Sequence, residues 1–187
     1  LNASNWEVRR TAAYLLTEFG GAENAAALAP LLNDPERRVQ REALRAVILS
    51  GQEQTFDLVV RALEPASGAR QSLAAELVTM KEERAAPLLS YLLPRIDRQA
   101  LRPLFLAAID TLGTFGGTEA VDALKAALYE GNMWAPFKTR AHRNAAADAL
   151  RRIGTEPALS ALREAATSGT RGVRAAARAQ LKGASHG

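Results

Sequence analysis

The chain has 187 residues, 48% hydrophobic and 24% charged, with a formal net charge of +4. These values fit an ordinary globular domain, exclude wholesale disorder, and are too mildly basic to imply a nucleic-acid partner by themselves. The absence of cysteine excludes disulfides, thiolate metal sites and cysteine nucleophiles.

Only 5% of the residues are aromatic, and the apolar content is mostly Ala and Leu, both strong helix formers. The longest apolar runs, such as 103–109, are far too short to span a bilayer, and no secretory signal opens the chain. A cytoplasmic protein without membrane contact is the expectation. The first residue is Leu1 rather than Met, which points to a fragment of a longer protein or a processed form.

In chain order, the first element reads Val8-Arg9-x-x-Ala12-Ala13-x-x-Leu16-x-x-Phe19-Gly20. The same spacing returns as Val39-Gln40, Ala43-Leu44, Val47 and Gly51, then as His142-Arg143, Ala146-Ala147, Leu150 and Gly154. Val173-Arg174 opens a last copy through Ala177 and Leu181. Two weaker copies start at Ala69-Arg70 and at Leu104. The first positions, 8, 39, 69, 104, 142 and 173, step by 31, 30, 35, 38 and 31. Such a near-constant step is the signature of a repeat architecture.

After each copy comes a second helical pattern, with apolar residues at i, i+3, i+6 and i+7. These are Ala25, Leu28, Leu31, Leu32; Phe56, Val59, Ala62, Leu63; Ala86, Leu89, Leu92, Leu93; Val121, Leu124, Ala127, Leu128; and Leu159, Leu162, Ala165, Ala166. The unit is therefore helix A, a tight turn and helix B. Gly20, Gly51, Gly116 and Gly154 sit where a helix end favours a left-handed residue. Asp34-Pro35 reads as an N-cap followed by proline at the first helical position. Pro103 is expected to kink the fourth A helix. Alanines at 12, 43, 108, 146 and 177 keep one spot per repeat small, so that neighbouring helices approach closely.

These residues predict an all-α fold, an α-solenoid of about 5.5 antiparallel helix pairs and about 11 helices, occupying 1–187 as a single domain. The repeats fall at approximately 5–32, 34–64, 66–94, 97–130 and 134–167, with a half repeat at 170–183. The step of 38 leaves an insertion over 129–139, in which Trp134 and Phe137 are either a packing plug or a binding hot spot. Trp6 and Tyr14 on the first A helix suggest an outer side that once packed on a further segment.

Catalytic patterns are weak. The terminal Gly183-x-Ser185-x-Gly187 matches a nucleophile elbow, but that turn needs a preceding strand and downstream Asp and His. Of two histidines, His186 lies in the tail and His142 takes a slot filled by Val in other repeats, so it reads as a packed helix residue. Glu82-Glu83 suits a helix start, where negative charge complements the dipole. Gly20-Gly21 and Gly116-Gly117 lack the Lys-Ser/Thr of a phosphate loop. No catalytic residue, metal or cofactor is predicted.

The Val-Arg-x-x-Ala-x-x-x-Leu-x-x-Phe-Gly pattern, followed by Glu119-Ala120-Val121-Asp122-Ala123-Leu124, resembles HEAT repeats. The short step is similar to the subtype of phycobilin lyases and many bacterial proteins. The third repeat departs from it, with Lys81 in place of the glycine, and the fourth has Leu104-Phe105 for Val-Arg. The resemblance implies a right-handed α-α superhelix, with B helices on the concave face and A helices on the convex one. Basic residues concentrate on the A side and acidic ones on the B side.

The implied function is a non-catalytic protein-interaction or scaffold module, part of a longer bacterial protein, with signalling proteins among the candidates. Its partner would be another protein or another domain of the same chain. Offsets shared by the B helices nominate Asp57, Arg61, Tyr91, Asp122, Lys125 and Arg163 as groove residues. Two alternatives come with the resemblance. One is nucleic-acid binding through the basic A-helix face, including Arg37, Arg38, Arg41, Arg45, Arg140, Arg143, Arg151 and Arg152. The other is a cofactor-handling chaperone resembling bilin lyases.

Overall fold

A computed structural model describes the backbone over 4–19, 25–130 and 136–182, with side chains over 4–17, 26–130 and 139–182. Among these residues there are eleven α-helices and no strand: α1 Trp6–Phe19, α2 Ala25–Leu32, α3 Arg37–Ser50, α4 Glu53–Ala62, α5 Arg70–Thr79, α6 Ala86–Leu92, α7 Arg102–Phe115, α8 Thr118–Tyr129, α9 Pro136–Ile153, α10 Glu156–Ser168 and α11 Arg171–Lys182. A 3₁₀ turn, Glu83–Ala85, leads into α6. Odd-numbered helices are the A helices of the repeat and even-numbered ones the B helices. The chain groups into two compact units, Leu1–Leu104 and Phe105–Gly187.

In the first unit, α1 lies against α3 and α3 against α5, while α2 lies against α4 and α4 against α6. Like helices therefore stack on like. The B-helix row fills the interior as its spacing demands: Leu28, Leu31, Leu32, Phe56, Val59, Ala62, Leu63, Leu89, Leu92 and Leu93 are all buried. Each large side chain so placed contributes about 1.5–3 kcal/mol through its removal from water. Val39, Ala43, Leu44 and Val47 of α3 are fully buried, but Val8, which matches Val39 in the repeat, is 54% exposed.

Several turn assignments need correction. Gly51 and Gly154 do take the left-handed conformation, with φ of 63° and 65°. Gly116 does not. Its glycine is needed for space, since a Cβ there would collide with the Leu112 carbonyl and the Ala120 methyl. Gly20 lies outside the described residues. The N-cap of α3 is Glu36 rather than Asp34; its side chain accepts from the Arg38 N–H at 3.4 Å. Pro35 consequently precedes the helix. Pro103 is the second residue of α7, where its missing N–H has no intrahelical acceptor to lose, so it produces no kink there.

Asp34 has a different task. Its carboxylate accepts a fork from Arg9, Nε to Oδ2 at 2.6 Å and Nη2 to Oδ1 at 3.0 Å, and takes the Glu36 N–H at 2.9 Å. The buried Gln40 side chain donates to the Asp34 carbonyl at 2.8 Å. Arg70 stands near Asp97 in a looser ion pair, Nη2 to Oδ2 at 3.8 Å. A third tie is deeper: Glu76 of α5, 1% exposed, accepts from Arg37 at 2.7 Å and from Arg41 at 2.7 Å, both on α3. A buried carboxylate is tolerable only when paired and hydrogen-bonded.

In the second unit, α8 and α10 pack on α9, and α11 packs on both α9 and α10. Ala108, Ala146 and Ala177 are almost wholly buried, as close helix approach requires. Gly113 shows the same constraint: a Cβ there would sit 2.8 Å from the Ala149 Cα and methyl. His142 is packed, its ring 4.9 Å from that of Phe105 and 5% exposed. Of the B-helix row here, Leu159 is half-buried and the remainder buried.

Two outcomes test this arrangement. Ala146→Glu places an uncompensated charge in a fully buried position and should cost about 3–5 kcal/mol in urea unfolding. Burial opposes the charge on Asp34, but the Arg9 fork and the Glu36 N–H outweigh it and hold the carboxyl below its ordinary range. That contribution is fully present above the unfolded aspartate value of about 3.9 and is lost as pH falls through the depressed folded value. Asp34→Asn should therefore flatten the acid limb of a stability–pH curve; an unchanged limb would contradict the clamp.

Candidate functional site

The B helices of the first unit bring Asp57 and Tyr91 together: the Tyr91 hydroxyl donates to Asp57 Oδ1 at 2.6 Å. The Tyr91 ring lies 5.5 Å from Phe56, and the Arg95 guanidinium sits 3.7 Å over its face. Asp57 and Tyr91 are thus half-buried and tied to each other, while Arg61 stays exposed. The Asp57 hydrogen bond, then burial, push the Tyr91 hydroxyl up from its ordinary pKa, against the pull of Arg95.

In the second unit, Lys125 donates to Glu164 at 2.7 Å, and Arg163 donates to Glu156 at 2.7 Å within α10. The Glu164 hydrogen bond raises the Lys125 pKa despite partial burial. Asp122 is exposed on α8. Four of the six nominated groove residues therefore spend their polar groups on intramolecular partners. Trp134 and the Phe137 side chain lie outside the described residues.

A feature that the sequence reading missed lies on the A-helix side of the first unit. A groove of about 530 Å³ is lined by α1, α3 and the 3₁₀ turn, chiefly by Arg10, Tyr14, Glu42, Arg45, Leu49 and Arg84. Tyr14 and Leu49 are 52% and 50% exposed, an uncommon state for large apolar side chains gathered at one concavity. Beside it, Trp6 is flanked by the guanidinium groups of Arg10 at 5.6 Å and Arg38 at 4.9 Å, close enough for cation–π attraction. The signal was present in the sequence: Tyr14 and Leu49 fall off the buried stripe of their helices. Among the described residues no group of three or more His, Asp or Glu side chains is arranged to hold a metal, and no helix is long and apolar enough to cross a membrane.

Stacked helix pairs joined by tight turns, with like helices packed on like, define an α-helical repeat protein. The family pattern of HEAT repeats matches residues 1–78 and 106–182, and the chain belongs to that family. The unmatched stretch contains the Lys81 substitution, the seven-residue α6 and the long turn before α7. The sequence matches no curated protein. Among solved structures it is similar to human deoxyhypusine hydroxylase in complex with glycerol, at 19% identity over 100% of this chain and 82% of that one, with a TM-score of 0.45.

The Tyr91–Asp57 contact can be checked spectroscopically. Of the three tyrosines, one should ionise above the ordinary value of about 10 in an ultraviolet pH titration. Tyr91→Phe should remove that step, and Asp57→Asn should bring it down.

Proposed function

We propose that the chain is a non-catalytic protein-interaction module that docks an extended or helical segment of a partner, either another protein or another domain of its own parent chain. The observation that supports this most is the A-helix groove of the first unit. It joins exposed Tyr14 and Leu49 to a margin of three arginines and two glutamates, Arg10, Arg45 and Arg84 with Glu42 and Glu82. Arg45 already holds Glu42 at 2.9 Å. Aromatic and arginine side chains around a desolvating pocket are the composition of interface hot spots. The favoured ligand is a peptide with one aliphatic or aromatic anchor flanked by carboxylates.

The competing docking residues lie on the B helices: Asp57, Arg61 and Tyr91 in the first unit, and Asp122, Lys125 and Arg163 in the second. A nucleic-acid reading draws on α9 and α11, which carry nine basic residues and one acidic residue, Asp148. Much of that charge is committed elsewhere. Arg151 donates to the Gln180 carbonyl, Arg174 to Gly169 and Arg178 to Ala166, and Arg152 pairs with Asp110 and Asp148. These contacts favour a structural use of the basic residues over a continuous phosphate track.

Random-peptide phage display against the purified chain separates these readings. Enriched peptides should pair an apolar anchor with Asp or Glu, and Leu49→Glu should weaken them about ten-fold or more. Loss instead on Arg61→Glu with Lys125→Glu would move docking to the B helices. Enrichment indifferent to both the Leu49→Glu change and the Arg61→Glu, Lys125→Glu pair would defeat the proposal.

A further inference from the structure

The repeat contains its own control for an unusual arginine. The second residue of the template is Arg9 in the first repeat, forked onto Asp34, and Arg70 in the third, whose Nε is also buried without a hydrogen bond but whose Nη2 stands 3.8 Å from Asp97; both carboxylates lie in the segment before the next A helix. Arg143 is the same template residue in the fifth repeat. The segment before its next A helix, Gly169-Thr170, has no acidic residue. Among the described residues no carboxylate pairs with Arg143. Its side chain is nevertheless drawn inward, only 8% exposed, and its Nε is buried without a hydrogen bond.

The guanidinium is aimed at a defined place. Arg143 Nη1 lies 2.8 Å from where a Cβ on Gly172 would stand, so the arginine reaches the first turn of α11 because residue 172 has no side chain. The first hydrogen bond of α11 runs from the Arg174 N–H to the Thr170 carbonyl at 2.8 Å. The amides of Arg171, Gly172 and Val173 precede it and have no intrahelical acceptor. They carry the positive end of the helix dipole, the backbone element that holds phosphate in many folds. Arg171 opens this turn, and Arg140 stands one turn before Arg143 on α9; both are exposed. Asp148, the acidic residue of α9, is already held by Arg152 at 3.2 Å.

An arginine drawn inward to 8% exposure without a counterion is costly, and the planar fork of its guanidinium matches an oxyanion in two parallel hydrogen bonds. We propose that the first turn of α11, with Arg143, binds a phosphate group that takes the place of the carboxylate present in the first and third repeats. This inference rests on the second unit alone and does not depend on the peptide groove.

The test uses the whole chain and inorganic phosphate, titrated against sodium chloride at matched ionic strength. Thermal unfolding should shift upward saturably with phosphate and not with chloride. NMR amide shifts should concentrate on residues 171–173. Arg143→Met, which keeps the apolar stem, should weaken phosphate about ten-fold or more. Thr170→Asp supplies an internal carboxylate at the head of the same turn. It should melt higher than Thr170→Asn, which can cap equally well without charge, and should lose the phosphate response. A phosphoserine peptide and a short single-stranded oligonucleotide, each competed against phosphate, distinguish a monoester source from a phosphodiester. A wild-type chain that responds equally to phosphate and chloride would overturn the proposal, as would an Arg143→Met variant that binds phosphate as tightly as wild type.

Discussion

One helix pair of this length carries apolar surface on more than one side and can bury only part of it against itself. Everything else follows from the need to put the next pair over what is left. Small residues make that contact close enough to exclude water. Ala43, Ala108, Ala146 and Ala177 occupy the shared small position, and Gly113 shows how little room remains. Val8 shows the converse: the residue type that is fully buried as Val39 between α1 and α5 is 54% exposed on α1.

Apolar contact of this kind is tolerant of sliding, and the polar ties supply register. Arg9 with Asp34 and Arg37 and Arg41 with Glu76 each join one repeat to the next through directional, charge-assisted bonds. Their net worth in stability is modest, because desolvation offsets attraction. Their geometry, however, is satisfied in one alignment of the helices and not in its neighbours.

The helical period and the repeat were legible because burial is written directly into residue spacing. The inward rows of α4, α6 and α8 are buried at every position named from the sequence. Turn details were less legible. Gly51 and Gly116 look alike in sequence, yet one supplies a positive φ and the other a gap for Leu112 and Ala120. Asp34 carries the composition of an N-cap, but long-range pairing with Arg9 claims its carboxylate, and local spacing cannot show that. The same limit explains the nominated groove residues. Asp57, Tyr91, Lys125 and Arg163 share outward-facing offsets, but which cross-helix partner each one meets depends on the neighbouring repeat. Tyr14, by contrast, was legible with Trp6 as part of an outward apolar side, and Leu49 could have been singled out with it as an apolar residue off the buried stripe.

Glu76 gives the series of repeats an order. Its carboxylate is 1% exposed and is satisfied by two arginines of the preceding A helix, a pair that occurs together at those positions in α3 and in no other A helix. The units look alike, but the third cannot be transplanted behind a different neighbour without stranding an anion in the interior. Duplication or shuffling of single repeats, the usual route by which such arrays lengthen, is thereby confined to exchanges that carry the second and third repeats as a block.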